Sequence, residues 1–224
     1  MDNQVRTALN ASLESFARVS GQDAALLGQS LTAVFDSDLG FLDKVEDFDR
    51  VFDEHLPFEE LREVFFDLLM INFFASDAQR LEEDYLDSKE WTEIEEDTID
   101  RGTELLNLLL YLNECHDEHV NPSLGDFLKE FLLVEEDDFQ DEFHIYESLI
   151  SNQHLAEGSV EEICKTADAT ELGEELEPVF VPLLTFFHQP EPDAKILDEL
   201  QRASSNREYD VAVYSLIANF NTAR

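Results

Sequence analysis

Five consecutive residues, Cys115-His116-Asp117-Glu118-His119, form the densest run of metal-ligand types in the chain. On a continuing helix His116 and His119 at i, i+3, or Cys115 and His119 at i, i+4, would share a face and could grip a zinc or iron ion. The helical apolar pattern stops there, Asn121-Pro122 follows, and no second cluster of matching spacing completes a tetrahedral site. Histidines beside the negative end of a helix dipole explain the segment equally well. Paired carboxylates are abundant, but a di-iron bundle needs Glu-x-x-His on two helices, and Glu142-x-His144 has the wrong spacing. Asp36-Ser37-Asp38 opens like a calcium loop, yet Gly is missing at the sixth position and Glu at the twelfth. There is neither a G-x-S-x-G elbow nor a glycine-rich phosphate loop. The chemistry-bearing residues therefore point away from an enzyme, and no cofactor is expected.

The distinctive feature is acidity. Fourteen Lys and Arg stand against 53 Asp and Glu, a net charge of −39. Spread over the roughly 10,000 Å² that a folded protein of this mass exposes, the average charges lie about two Debye lengths apart, so local clusters should dominate recognition. Two clusters stand out: Glu90, Glu93, Glu95, Glu96, Asp97 and Asp100, and then Glu135, Glu136, Asp137, Asp138, Asp141 and Glu142. Further acids gather at Asp43–Asp53 and Glu171–Glu177. Like charges three or four residues apart on a helix repel by a few tenths of a kcal/mol, so such blocks do not serve helix stability. Solubility or adaptation to high salt is the plain account; scarce lysine fits it, and 18 Phe do not. The sharper account is a surface built to meet a basic protein.

The elements that carry these residues read as helices. Stripes at helical spacing run through Val5–Phe16, Ala24–Phe35, Phe41–Phe52 and Phe58–Ala75. Ser76 or Asp77 would cap a helix bearing Leu81, Tyr85 and Trp91. Thr92 with Glu95 reads as a capping box ahead of one long helix reaching Leu112. The stretch Leu105–Phe131 is the most apolar, a helix, a break at His116–Pro122, and an amphipathic helix capped by Ser123. Phe139, Phe143, Tyr146 and Ile150 suggest the next stripe, Ser159 with Glu162 a second capping box, Leu176–Phe187 a helix containing Pro178 and Pro182, and Val211–Phe220 the last. No strand alternation competes. Trp91, Tyr146 and Phe187 are candidate exposed anchors, although aromatics at this spacing are usually core.

Six apolar doublets, at 26–27, 68–69, 108–109, 149–150, 183–184 and 216–217, recur at intervals of 33 to 42 residues. That period is similar to helix-pair repeats such as HEAT and tetratricopeptide units, without the tetratricopeptide signature residues. The expected fold is all-α, stacked antiparallel helix pairs in an α-solenoid or HEAT-like array, with an irregular multi-helix bundle as the alternative. A single domain over 1–224 is expected, with residues 1–57 as an N-terminal helical cap and 58–224 as the array.

The functional expectation is a non-enzymatic acidic protein that engages a basic protein partner, as an immunity-type inhibitor of a toxin or nuclease would. One alternative is a DNA mimic that occupies a nucleic-acid-binding protein. Another is a metal-binding enzyme using His116, His119 and nearby Glu. Direct nucleic-acid binding would need clustered Lys and Arg, which are absent. The longest apolar run, Leu68–Ala75, is too short to span a membrane, and MDNQVRTALN does not resemble a signal peptide. Two isolated cysteines suggest no disulfide framework. A reducing, cytoplasmic setting follows as the expectation.

Overall fold

The computed structural model describes residues 1–77, 88–135, 138–139 and 145–223. It is all-helical in character. Helix α1 spans Asn3–Ser20, α2 Ala25–Phe35, α3 Phe41–Asp53 and α4 Arg62–Asp77, the last preceded by a 3₁₀ turn at Leu56–Leu61. Then come α5 at Lys89–Thr98, α6 at Leu105–Glu118 and α7 at Leu124–Leu132. A minimal antiparallel pair, β1 Leu133–Glu135 with β2 Asp138–Phe139, leads to α8 at Glu147–Ser151. The chain ends with α9 Val160–Ala169, α10 Glu177–His188, α11 Ala194–Ala203 and α12 Arg207–Thr222. Among the described residues, no helix is long and apolar enough to cross a membrane.

Local sequence accounts for most boundaries. Asp2 caps α1 through the Gln4 and Val5 amides, and Gly21, at φ 75°, ends it in the left-handed conformation that glycine reaches without a Cβ penalty. Ser123 accepts from the Asp126 amide at the start of α7, and the Ser159–Glu162 capping box is fully formed at α9. Pro178 occupies the first turn of α10, where its missing N–H is harmless.

Two expected elements differ. The long helix from Thr92 to Leu112 is split into α5 and α6: Ser88 caps α5, and Thr92 is inside it, donating its hydroxyl back to the Ser88 carbonyl. The split is held from outside the segment. Asp67 and Glu63 of α4 accept the backbone amides of Thr103 and Gly102, and Gly102 sits at φ 84°. A Cβ there would stand 2.4 Å from Asp67 Oδ1, so the close approach requires glycine. The other difference is Phe139, expected on a helical stripe with Tyr146 and Ile150 but lying in β2; helix resumes only at Glu147. Phe143, Leu81 and Tyr85 fall outside the described residues.

The core is organised around α12, whose residues Tyr209 to Ala218 are all buried. It packs on α1, α10 and α11 and touches α6. Among the described residues the most extensive helix–helix interface is α1 against α12. Small residues line both partners, Ala8, Ser12 and Ser15 on α1 and Ala212, Ser215 and Ala218 on α12, and all are buried. The Ser15 and Ser215 hydroxyl oxygens are 2.7 Å apart; Ser215 donates to the Val211 carbonyl and so accepts from Ser15. Some sequential neighbours do pair, α2 with α3 and α9 with α10. A linear stack would nevertheless keep its first and last helices apart, and here they form the central seam.

His116 fastens that seam. Its Nε2–H donates to the Asn221 carbonyl of α12 at 2.6 Å, which leaves Nδ1 to accept from the Gln4 amide of α1 at 2.6 Å. Both ring nitrogens are thus committed to joining α6, α1 and α12. Replacing His116 by Ala should cost about 1–3 kcal/mol in chemical denaturation, as two part-buried hydrogen bonds are lost. Gly102→Ala should cost at least about 2 kcal/mol, because it combines a positive φ with a clash against a buried carboxylate.

Candidate functional site

Helix α5 carries the first acidic cluster. Ile94 and Thr98 are buried and Trp91 leans on Phe74 with ring centroids 5.8 Å apart, which fixes the inward side. Glu93, Glu96 and Asp97 then fall at i, i+3 and i+4 on the outward side, with Glu95 beside them and Asp100 in the turn just past the helix, and all five are exposed. Glu90 is in the first turn. Acids near a helix N-terminus complement its dipole, but Glu95, Glu96, Asp97 and Asp100 sit at the negative end and oppose it. Ile99 lies among them with 80% of its surface in solvent.

No ion pair neutralises this stripe among the described residues. Arg101 turns the other way, its guanidinium 4.5 Å from the centre of the Phe66 ring. It donates to both carboxylate oxygens of Glu63 and both of Asp49, at 3.0 to 3.1 Å. Arg62 shares Asp49 and adds Asp53 and Glu59. Part of the Asp43–Asp53 run is therefore structural: Asp49 and Asp53 tie α3 to α4 and to the turn before α6.

The second acidic feature joins segments far apart in sequence. A cleft of about 780 Å³ lies between the start of α4, the Gly102–Thr103 turn, the end of α9, the first turns of α10 and the start of α12. Carboxylates from Glu59, Glu60, Glu63, Asp168, Glu171, Glu177 and Asp210 line it, with apolar wall from Leu172, Pro178 and Val181. Asp67 is buried beside it, accepting from the Thr103 amide and hydroxyl. Burial pushes the Asp67 carboxyl well above the usual carboxylate range, against the opposing effect of those hydrogen bonds. Burial likewise pushes Asp210 up to about 7, although the Ser204 hydroxyl donates to it at 2.5 Å. Glu60, at the rim, is raised chiefly by partial desolvation.

Of the second cluster, Glu135 ends β1 and pairs with Asp138 at the start of β2, while Glu136, Asp137, Asp141 and Glu142 lie outside the described residues, as does His144. The candidate metal ligands separate: His116 is held by α1 and α12, and His119 is an exposed left-handed residue after α6. Among the described residues, no three His, Cys, Asp or Glu side chains converge closely enough to hold a metal ion. Asp36, of the calcium-like sequence, pairs with Arg6 at 3.0 Å. Tyr146 is buried, donating its hydroxyl to Glu104, and Phe187 packs on Phe127 and Phe186. Tyr146 belongs to the interior, and Phe187 is half-buried against the core.

The raised carboxylates set a direction for pH. A group whose folded pKa exceeds its unfolded value lends stability at low pH and loses it as pH rises toward the folded pKa. For Asp210 the loss runs from about pH 4 to about 7, and Asp67 and Glu60 act in the same direction. The melting temperature should therefore be higher at pH 5.5 than at 7.5. Asp210→Asn should flatten the slope, gaining roughly 2–4 kcal/mol over the parent at pH 8 and nothing at pH 4. Compared with known proteins, the chain matches no family model, no curated protein and no solved structure.

Proposed function

We propose that this chain is a non-enzymatic binding protein that captures a basic protein, with an immunity-type inhibitor of a toxin or nuclease as the class that suits it best. The observation that carries the reading is the outward stripe of Glu93, Glu96, Asp97 and Asp100. Glu96 and Asp97 oppose the dipole of α5, the stripe is paired with no cation among the described residues, and the exposed Ile99 lies among its acids. An apolar contact within a ring of charge is the anatomy of a protein interface, and long-range attraction between unlike surfaces speeds encounter. The cleft extends the same sign of charge into the interior.

The proposal treats residues 1–224 as one domain, closed by the seam between α1 and α12. The six apolar doublets fall on α2, α4, α6, α8, α10 and α12, every second helix, which supports a helix-pair ancestry for the globule. Cys115 and Cys164 are free and buried, in keeping with a reducing, cytoplasmic setting.

The test uses a purified basic nuclease or toxin encoded beside this chain. Its affinity should fall steeply with added salt. The triple reversal Glu93→Lys, Glu96→Lys and Asp97→Lys should lower affinity at least tenfold with unchanged helicity by circular dichroism. A control reversal of Glu14, Asp38 and Glu46, which are exposed elsewhere, should have a much smaller effect. Equal losses in the two triples would reduce the interaction to net charge and defeat the proposal. Competition of capture by duplex DNA would move the reading to a DNA mimic.

A further inference from the structure

We propose that the cleft at the start of α12 is a receptor for an arginine side chain of the basic partner, with the guanidinium seated between the Asp210 carboxylate and the Tyr209 hydroxyl. The inference rests on the reading of this chain as a binder of basic proteins and assigns a second, deeper contact to it.

Tyr209 is the observation that asks for a ligand. Only 6% of it is exposed, it lines the cleft, and its hydroxyl has no hydrogen-bond partner among the described residues, in contrast to Tyr111, Tyr146 and Tyr214, each of which is bonded. The ring is buried while the phenol oxygen opens on the cleft, where it can accept from or donate to a ligand. The charges that reach its oxygen come from Asp210, Asp67 and Glu60. All three are acids, and burial together with them keeps the phenol protonated, so the oxygen is free to accept from a cationic N–H.

Asp210 adjoins it with one partner, Ser204, although a carboxylate can accept several bonds. Holding an acid in this buried position opposes stability at neutral pH, and a stability sacrificed in a cleft is a mark of function. The other acids divide by whether they are already used. Glu63 is consumed by Arg101 and Gly102, and Glu59 by Arg62. Arg62 also lines the cleft; its two terminal nitrogens are held by Asp49, Asp53 and Glu59, and its Nε is buried without a partner among the described residues. Glu60 at the rim is held by the Asn206 side chain.

The shape selects the ligand. Leu172, Pro178 and Val181 provide an aliphatic wall for a hydrocarbon stem, while the polar end meets divergent acceptors. Arginine suits this better than lysine. Its guanidinium is more weakly hydrated, its five donors reach several acceptors at once, and it keeps its proton beside a carboxylate that resists ionisation. A metal ion is not the fit, since no three ligating side chains converge among the described residues.

The test is isothermal titration calorimetry of the full chain with a hexa-arginine peptide and a hexa-lysine peptide, in 150 mM salt at pH 6.5, in two buffers of different ionisation enthalpy. The arginine peptide should bind at least tenfold more tightly than the lysine peptide. Its binding should release up to about one proton, as the guanidinium drives Asp210 to ionise. Tyr209→Phe should weaken the arginine peptide at least fivefold with an unchanged melting temperature, because no internal hydrogen bond is lost. Asp210→Asn should abolish the proton release. If Tyr209→Phe and Asp210→Asn bind the arginine peptide like the parent while the α5 reversal does not, the cleft proposal is overturned and the surface reading survives. Equal binding of the two peptides to the parent also overturns the cleft proposal. If neither peptide binds the parent, both readings fall together.

Discussion

Fifty-three carboxylates share fourteen basic side chains in this protein, and that shortage governs how everything else is arranged. An acid that cannot be given a cation must be left in water or solvated by neutral donors, because an unpaired buried charge is too expensive to keep. The fold uses all three solutions. Most acids stay outside. Arg62 and Arg101 are concentrated in one network that each shares with Asp49, where α3, α4 and the turn into α6 meet. Asp67 and Asp210 accept from the neutral hydroxyls of Thr103 and Ser204. The stacking of Arg62 and Arg101 on Phe52 and Phe66 makes each scarce cation serve the aromatic core as well.

That distribution explains why an acidic chain needs so much phenylalanine. Repulsion among surface carboxylates works against compactness, and apolar burial must outweigh it. Phe16, Phe35, Phe48, Phe52, Phe65, Phe66, Phe127, Phe180, Phe186 and Phe220 are all essentially sealed from solvent. The rings of Phe48, Phe52, Phe65 and Phe66 lie directly beneath the arginine network.

The local grammar was legible in the sequence wherever a single segment decided the outcome. The Ser123 cap and the Ser159–Glu162 box both appear where their residues foretell them. Prediction failed where a distant segment intervenes. Thr92 and Glu95 have the form of a cap, yet the helix boundary is imposed by Asp67 and Glu63 gripping Gly102 and Thr103 from α4. The central role of α12 was hidden because closeness to α1 demands Ala and Ser, which lower its hydrophobic contrast. The α5 stripe could be read directly from spacing. The cleft could not, since Glu60, Asp168, Glu177 and Asp210 are brought together only by tertiary structure. A faint signal existed nonetheless: Asp67 and Asp210 interrupt otherwise apolar helical runs, at positions whose neighbours point inward.

The seam between α1 and α12 also has a temporal meaning. Ser15 and Ser215 are separated by 200 residues, so at a synthesis rate of roughly 5–20 residues per second the first helix waits about 10–40 s for its principal neighbour to leave the ribosome. During that interval Val5, Leu9, Leu13 and Phe16 depend on partial cover from α2 and α4. Mutual repulsion between nascent copies, supplied by the same dense negative charge, would keep those unfinished chains apart until the final helix arrives.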